Sequence, residues 1–76
     1  QVAGLLDRAE KLYTELNDVS GLARIHLRRA VWFADGGLRD KGSEELSMAS
    51  MQAEKADDIF AQNMVVRVSH LQPALQ

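Results

Sequence analysis

The stretch KLYTELNDVSGLARIHLRRA (residues 11–30) decides the fold, because it joins two apolar-periodic segments through Asn17 and Asp18 and almost nothing else. Before the pair, Val2, Leu5, Leu6, Ala9, Leu12, Tyr13 and Leu16 recur at spacings of three and four, while Asp7, Arg8, Glu10 and Lys11 fall elsewhere on the wheel. That spacing predicts an amphipathic helix over about 2–16. Asn17 can adopt the left-handed geometry that ends a helix, and Asp18 is a good N-cap for the next one. Two residues therefore suffice to reverse the chain.

Downstream, Leu22, Ile25, Ala30, Trp32 and Phe33 predict a second helix over 19–34, stopped by Asp35, Gly36 and Gly37. Its polar stripe is Arg24, Arg28 and Asp35. A third helix is expected over 38–56, with Ser43 as an alternative start. Gly42, Leu46, Ala49, Ala53 and Ala56 give it a small face that lets a neighbouring backbone approach closely. Asp57 and Asp58 repeat the punctuation of Asn17 and Asp18. A fourth helix over 58–71 then carries Ile59, Phe60, Met64, Val65, Val68 and Leu71 before Pro73 ends it. No segment alternates with period two between hairpin turns. The expected fold is all-α, four antiparallel helices in a single domain over 1–76, and the first residue, Gln1 rather than Met, points to a fragment of a larger protein.

With 9 basic and 11 acidic residues spread along the chain, the net charge of −2 offers no footprint for direct nucleic-acid binding. The absence of cysteine removes disulfides, thiolate metal sites and a cysteine nucleophile, and fits a cytoplasmic setting. Apolar runs are far short of the roughly 20 residues that a membrane span needs. A domain this small buries only about 60% of its unfolded surface, so its helices must pack closely or associate.

The shift that carries Asn17 and Asp18 onto Asp57 and Asp58 also places Leu6 on Leu46, Ala9 on Ala49, Leu16 on Ala56, Val19 on Ile59, Gly21 on Ala61 and Ile25 on Val65. Periods of this size mark stacked helical hairpins. Ala30, Phe33, Gly42, Leu46 and Ala49 also stand at the spacing of small, aromatic, small, large and small residues that the tetratricopeptide repeat favours. The chain thus resembles that family. The string LYTELNDVSGLARIHLRRAVWFADGGL is similar to its longer variety of about 40 residues, found in bacterial signalling and transcriptional regulators. The resemblance implies a short solenoid of stacked hairpins, and a closed four-helix bundle is the alternative. Arg29 departs from the pattern where an apolar residue is preferred, Asn17 replaces a Gly, and the shifted places of Ala30 and Phe33 hold His70 and Pro73.

Chemistry is sparse. His26 and His70 share no metal-ligand spacing and read as ordinary surface or half-buried side chains. Glu44, Glu45, Glu54, Asp57 and Asp58 read as solvated faces and helix starts. The serines lack a nucleophile-elbow context, and Asp35-Gly36-Gly37 lacks the residues of a phosphate loop. No enzyme activity and no cofactor are expected. Met48, Met51 and Met64 read as packing or scattered exposure, and Trp32 as a core residue.

Arg24 and Arg28, four apart, share one helical face with Leu27 and Val31 beside them. The resemblance implies that this face lines a concave groove, with Met64, Arg67 and Val68 in the corresponding places of the next repeat. Arginines over an apolar floor suit a carboxylate-bearing peptide, because guanidinium pairs bidentately with carboxylate. The expected function is a protein or peptide interaction module within a larger regulator, with an acidic partner. Homodimerisation or docking by a bundle is the alternative, and the uncapped ends of a repeat imply that the isolated piece self-associates or is only marginally stable.

Overall fold

The computed structural model describes residues 2–71, and Pro73 lies outside them. Four helices follow one another: α1 (Val2–Glu15), α2 (Val19–Asp35), α3 (Arg39–Lys55) and α4 (Ile59–Leu71). Among the described residues there is no strand. The all-α expectation holds, and the helix ends agree with it to within about a residue. Leu38 and Asp58, placed inside helices by periodicity, stand just before α3 and α4.

All three turns are one motif. Asn17, Gly37 and Asp57 have φ of 55°, 80° and 52°, at regular intervals along the chain. In each, this residue's N–H bonds three residues back, to Thr14, Ala34 or Glu54. The next N–H reaches five back, from Asp18 to Tyr13, from Leu38 to Phe33 and from Asp58 to Ala53, at 2.8 to 3.0 Å. These paired bonds are the Schellman closure, which satisfies the last carbonyls of a helix and requires a left-handed residue that Gly, Asn and Asp tolerate. Asp18 then caps α2 through a 2.9 Å bond from the Gly21 N–H, and Asp58 caps α4 through 3.0 Å from Ala61. Leu38 supplies no side-chain cap.

Helix α2 packs on α1, α3 and α4, and α3 packs also on α4. Between α1 and α4 there is no extensive contact. That order is a stack of neighbours, whereas a closed bundle seats its first helix on its fourth. The Cα envelope measures 32 × 29 × 15 Å. Its least dimension is two helices deep, since Cα cylinders of radius about 2.3 Å with axes 8–10 Å apart span roughly 13–15 Å.

Being central, α2 buries more than one face, through Gly21, Ala23, Ile25, His26, Leu27 and Ala30. The face that α3 buries is small: Gly42, Ala49 and Ala53. Ala23, Ala53 and Ala61 form one cluster where α2, α3 and α4 meet. The small-residue stripe read from the sequence is thus the close crossing of the molecule. Trp32 corrects the expectation of a core residue, because it is 43% exposed. It lies about 200° around α2 from buried Ala30, at ~100° per residue, so its ring stands off the packed side against Phe33.

Candidate functional site

The side chains that α2 and α4 turn toward each other enclose a groove of about 370 Å³, lined by Arg24, Leu27, Arg28, Phe60, Ala61 and Met64. Its position follows from the cap: Asp58 starts α4 beside Ser20, whose hydroxyl donates to the Asp58 carboxylate. Arg24 reaches the same carboxylate at 3.5 Å. The first turn of α4 is thereby pinned to α2, with Phe60 and Met64, four apart, on the wall opposite the arginines. Leu27 is buried and forms the floor, whereas Phe60 is 80% exposed at the rim.

Electrostatics at the groove are asymmetric. The Ser20 hydroxyl, then the Ala61 N–H, hold the Asp58 carboxyl below its ordinary value, and Arg24 and the Phe60 N–H add to this against partial burial. Arg24 is thus divided between its partner and solvent. Arg28 is exposed and forms no ion pair among the described residues. A guanidinium so placed has all its donors available to an incoming carboxylate.

Of the residues expected in the groove, Arg24, Leu27, Arg28 and Met64 come together. Arg67 lines an adjoining depression of about 440 Å³ with Phe60, Asn63, Met64 and Val66. Val31 and Val68 are half-buried and line neither. On the other flank, Arg24 and Arg28 border a depression between α1 and α2 of about 380 Å³ with Leu5, Leu6, Ala9, Tyr13 and Ile25. The arginines form a ridge between two apolar floors. Phe60 and Ala61 were missed by the sequence reading, although the four-residue spacing of Phe60 and Met64 puts them on one face.

A second cluster joins three helices. His26, 2% exposed, directs Nδ1 at Glu45 Oε1 of α3 at 2.9 Å and Nε2 at Glu10 Oε2 of α1 at 3.7 Å. Arg29 bonds Glu10 at 2.5 Å and Asp7 at 2.6 Å, and lies 3.8 Å from Glu45. Burial lowers the Arg29 pKa, but the Glu10 hydrogen bond and the charges of Glu10, Glu45 and Asp7 outweigh it, and the net direction is upward. The readings of His26 as a surface or half-buried side chain and of Glu45 as solvated are corrected here. Both are held inside because each meets an opposite or hydrogen-bonding group on the facing helix, which offsets the cost of leaving water. With His26 enclosed, this cluster ties α1, α2 and α3 together.

Among the described residues no group of three or more acidic or histidine side chains is arranged to hold a metal ion, and no helix is long and apolar enough to cross a membrane. Comparison of the chain with protein-family models, with curated proteins and with solved structures finds no match.

Proposed function

We propose that the domain is a helical-repeat interaction module of a larger intracellular regulator, and that it holds an acidic or C-terminal peptide along the ridge of Arg24 and Arg28. The observation that carries this reading is the α2–α4 groove itself, in which exposed Arg28 and partly engaged Arg24 stand over Leu27, Ala61, Phe60 and Met64. An apolar floor takes a peptide side chain, and the arginine takes its carboxylate. The open order of helix contacts supports the tetratricopeptide-like reading over the closed bundle, as does the recurrence of the Asn17 turn and Asp18 cap at Asp57 and Asp58.

Peptides screened for binding, each with a free and an amidated C-terminus, provide the test. Titration against wild type and Arg28→Ala should show about fivefold weaker binding for the variant, the equivalent of ~1 kcal/mol for one partly exposed charge pair. Affinity should also fall as salt shortens the Debye length from about 10 Å at 0.1 M. Equal affinity of the two proteins, with no salt dependence, would leave Arg24 and Arg28 as a solvated face.

A further inference from the structure

Among the described residues, α1 and α4 leave apolar rows uncovered. On α1 and the turn after it these are Leu5, Leu12 and Leu16, and on α4 they include Ile59, Phe60, Val66 and Leu71, with Leu5 63% and Val66 55% exposed. The chain itself contains a template for what covers them. The shift that carries Asn17 onto Asp57 lays α1 on α3 and α2 on α4, and α2 is covered by α3. Leu5, Leu12 and Leu16 then correspond to Glu45, Gln52 and Ala56, all half-buried, and Val66 corresponds to buried His26.

We propose that a second copy of this chain docks head to tail, its α1 lying on α4 in the place that α3 takes on α2. The template pair His26 and Glu45 touches at 2.9 Å. Its equivalent across the two copies is Val66 and Leu5, so two groups left in water by the monomer meet where the internal contact is polar. The contact also continues the order of packing already present along α1, α2, α3 and α4. In place of Ala23 and Ala53 the two copies bring Asn63 and Tyr13, so α1 stands further off α4 than α3 does off α2, and the contact centres on Leu5 and Val66. Such an interface joins unlike faces and does not close on itself, so copies add into open chains rather than two-fold dimers.

Sedimentation of wild type, Leu5→Glu and Val66→Glu tests this. Wild type should gain mass with concentration, and each variant should stay near the monomer mass of 8.4 kDa. An equimolar mixture of the variants should give a species of twice that mass and nothing larger, because one intact α4 face meets one intact α1 face. A monomeric wild type overturns the proposal, as does a mixture that stays monomeric. One variant that associates like wild type while the other does not also overturns it, showing a contact between like faces. Circular dichroism checks folding, and Leu5→Ser with Val66→Ser repeats the test should either glutamate reduce helicity. Neither residue lines the α2–α4 groove, so the peptide titration stands or falls separately.

Discussion

At the junction of α1 and α2 the Tyr13 ring lies against Gly21, whereas at the corresponding junction of α3 and α4 Ala53 shares a cluster with Ala61. A Cβ placed on Gly21 would come within 2.6 to 2.8 Å of three ring carbons of Tyr13. Large against nothing at the first junction has become small against small at the second. The surroundings differ as well: Asp7, Glu10 and Arg29 tie α1 to α2, and the equivalent places hold Ser47, Ser50 and Ser69. What the two share is the turn, with a left-handed residue at the same place (Asn17 or Asp57), the same backbone bonds and an aspartate cap. Backbone geometry is thus fixed by two residues, while the packing beside it is free to vary so long as volume and charge remain matched.

Removing the ionic tie should have the largest effect. In Arg29→Ala, Glu10 and Asp7 lose their hydrogen-bonded cation, and half-buried Glu45 loses a charge at 3.8 Å and keeps the His26 contact. Breaking a buried pair from one side costs 3–5 kcal/mol, and the exposure of Asp7 and Glu10 places this case near the lower figure, about 3 kcal/mol. Ser69→Ala, at the equivalent place of the second junction, should cost about 1 kcal/mol or less. Urea unfolding of both variants makes the comparison, and equal losses would show that the acidic cluster contributes nothing specific to the first junction.

The volume swap comes next. Gly21→Ala gains about 1 kcal/mol of helix propensity and loses about 1–3 kcal/mol by overpacking against Tyr13. A net loss of about 1 kcal/mol is expected. In a Tyr13→Ala background the clash is gone, so the same substitution should become stabilising and reproduce the alanine pair of the second junction. A double-mutant cycle reads this as a change of sign. Additive effects would mean that the ring and Gly21 do not restrain each other.

This contrast also explains what was legible in the sequence. Turn residues announce themselves locally, because a left-handed Asn or Asp followed by an aspartate cap is specified within a few positions. The stripe of Gly42, Ala49 and Ala53 was legible for a similar reason, as its spacing needs one helix only. The network of Asp7, Glu10, His26, Arg29 and Glu45 draws on α1, α2 and α3, with its hydrogen-bonded partners 19 to 22 residues apart and its longer ion pairs closer in sequence, and no period links them. Arg29 was visible only as a departure from an apolar pattern, and the structure shows the acids that justify it. The groove was half legible: the arginine ridge follows from four-residue spacing, but its opposite wall depends on where Asp58 anchors α4. Trp32 was misplaced because hydrophobicity alone does not say which side of a central helix a neighbour will take.

The smallest effect concerns that anchor. Asp58 receives the Ser20 hydroxyl and the Ala61 N–H and lies beside Arg24, all of which favour its ionised form and hold its folded pKa below the ordinary 3.8. A carboxyl whose pKa is lower when folded contributes stability that is fully present above the unfolded value and is lost as pH falls through the folded one. The contribution therefore disappears below about pH 3.8, where the unfolded chain takes up its proton first. Asp58→Asn keeps an oxygen to accept from Ala61 but has no charge to titrate. The other carboxylates titrate in both proteins and cancel in the difference between them. Wild type should be the more stable at neutral pH, and the gap should narrow on acidification below the ordinary carboxylate value. Thermal unfolding followed by circular dichroism at successive pH values measures that gap. Curves that stay parallel would mean that the Ser20–Asp58–Arg24 contact holds α4 by hydrogen bonding alone, and the second junction would then lack the charge dependence on which the first is built.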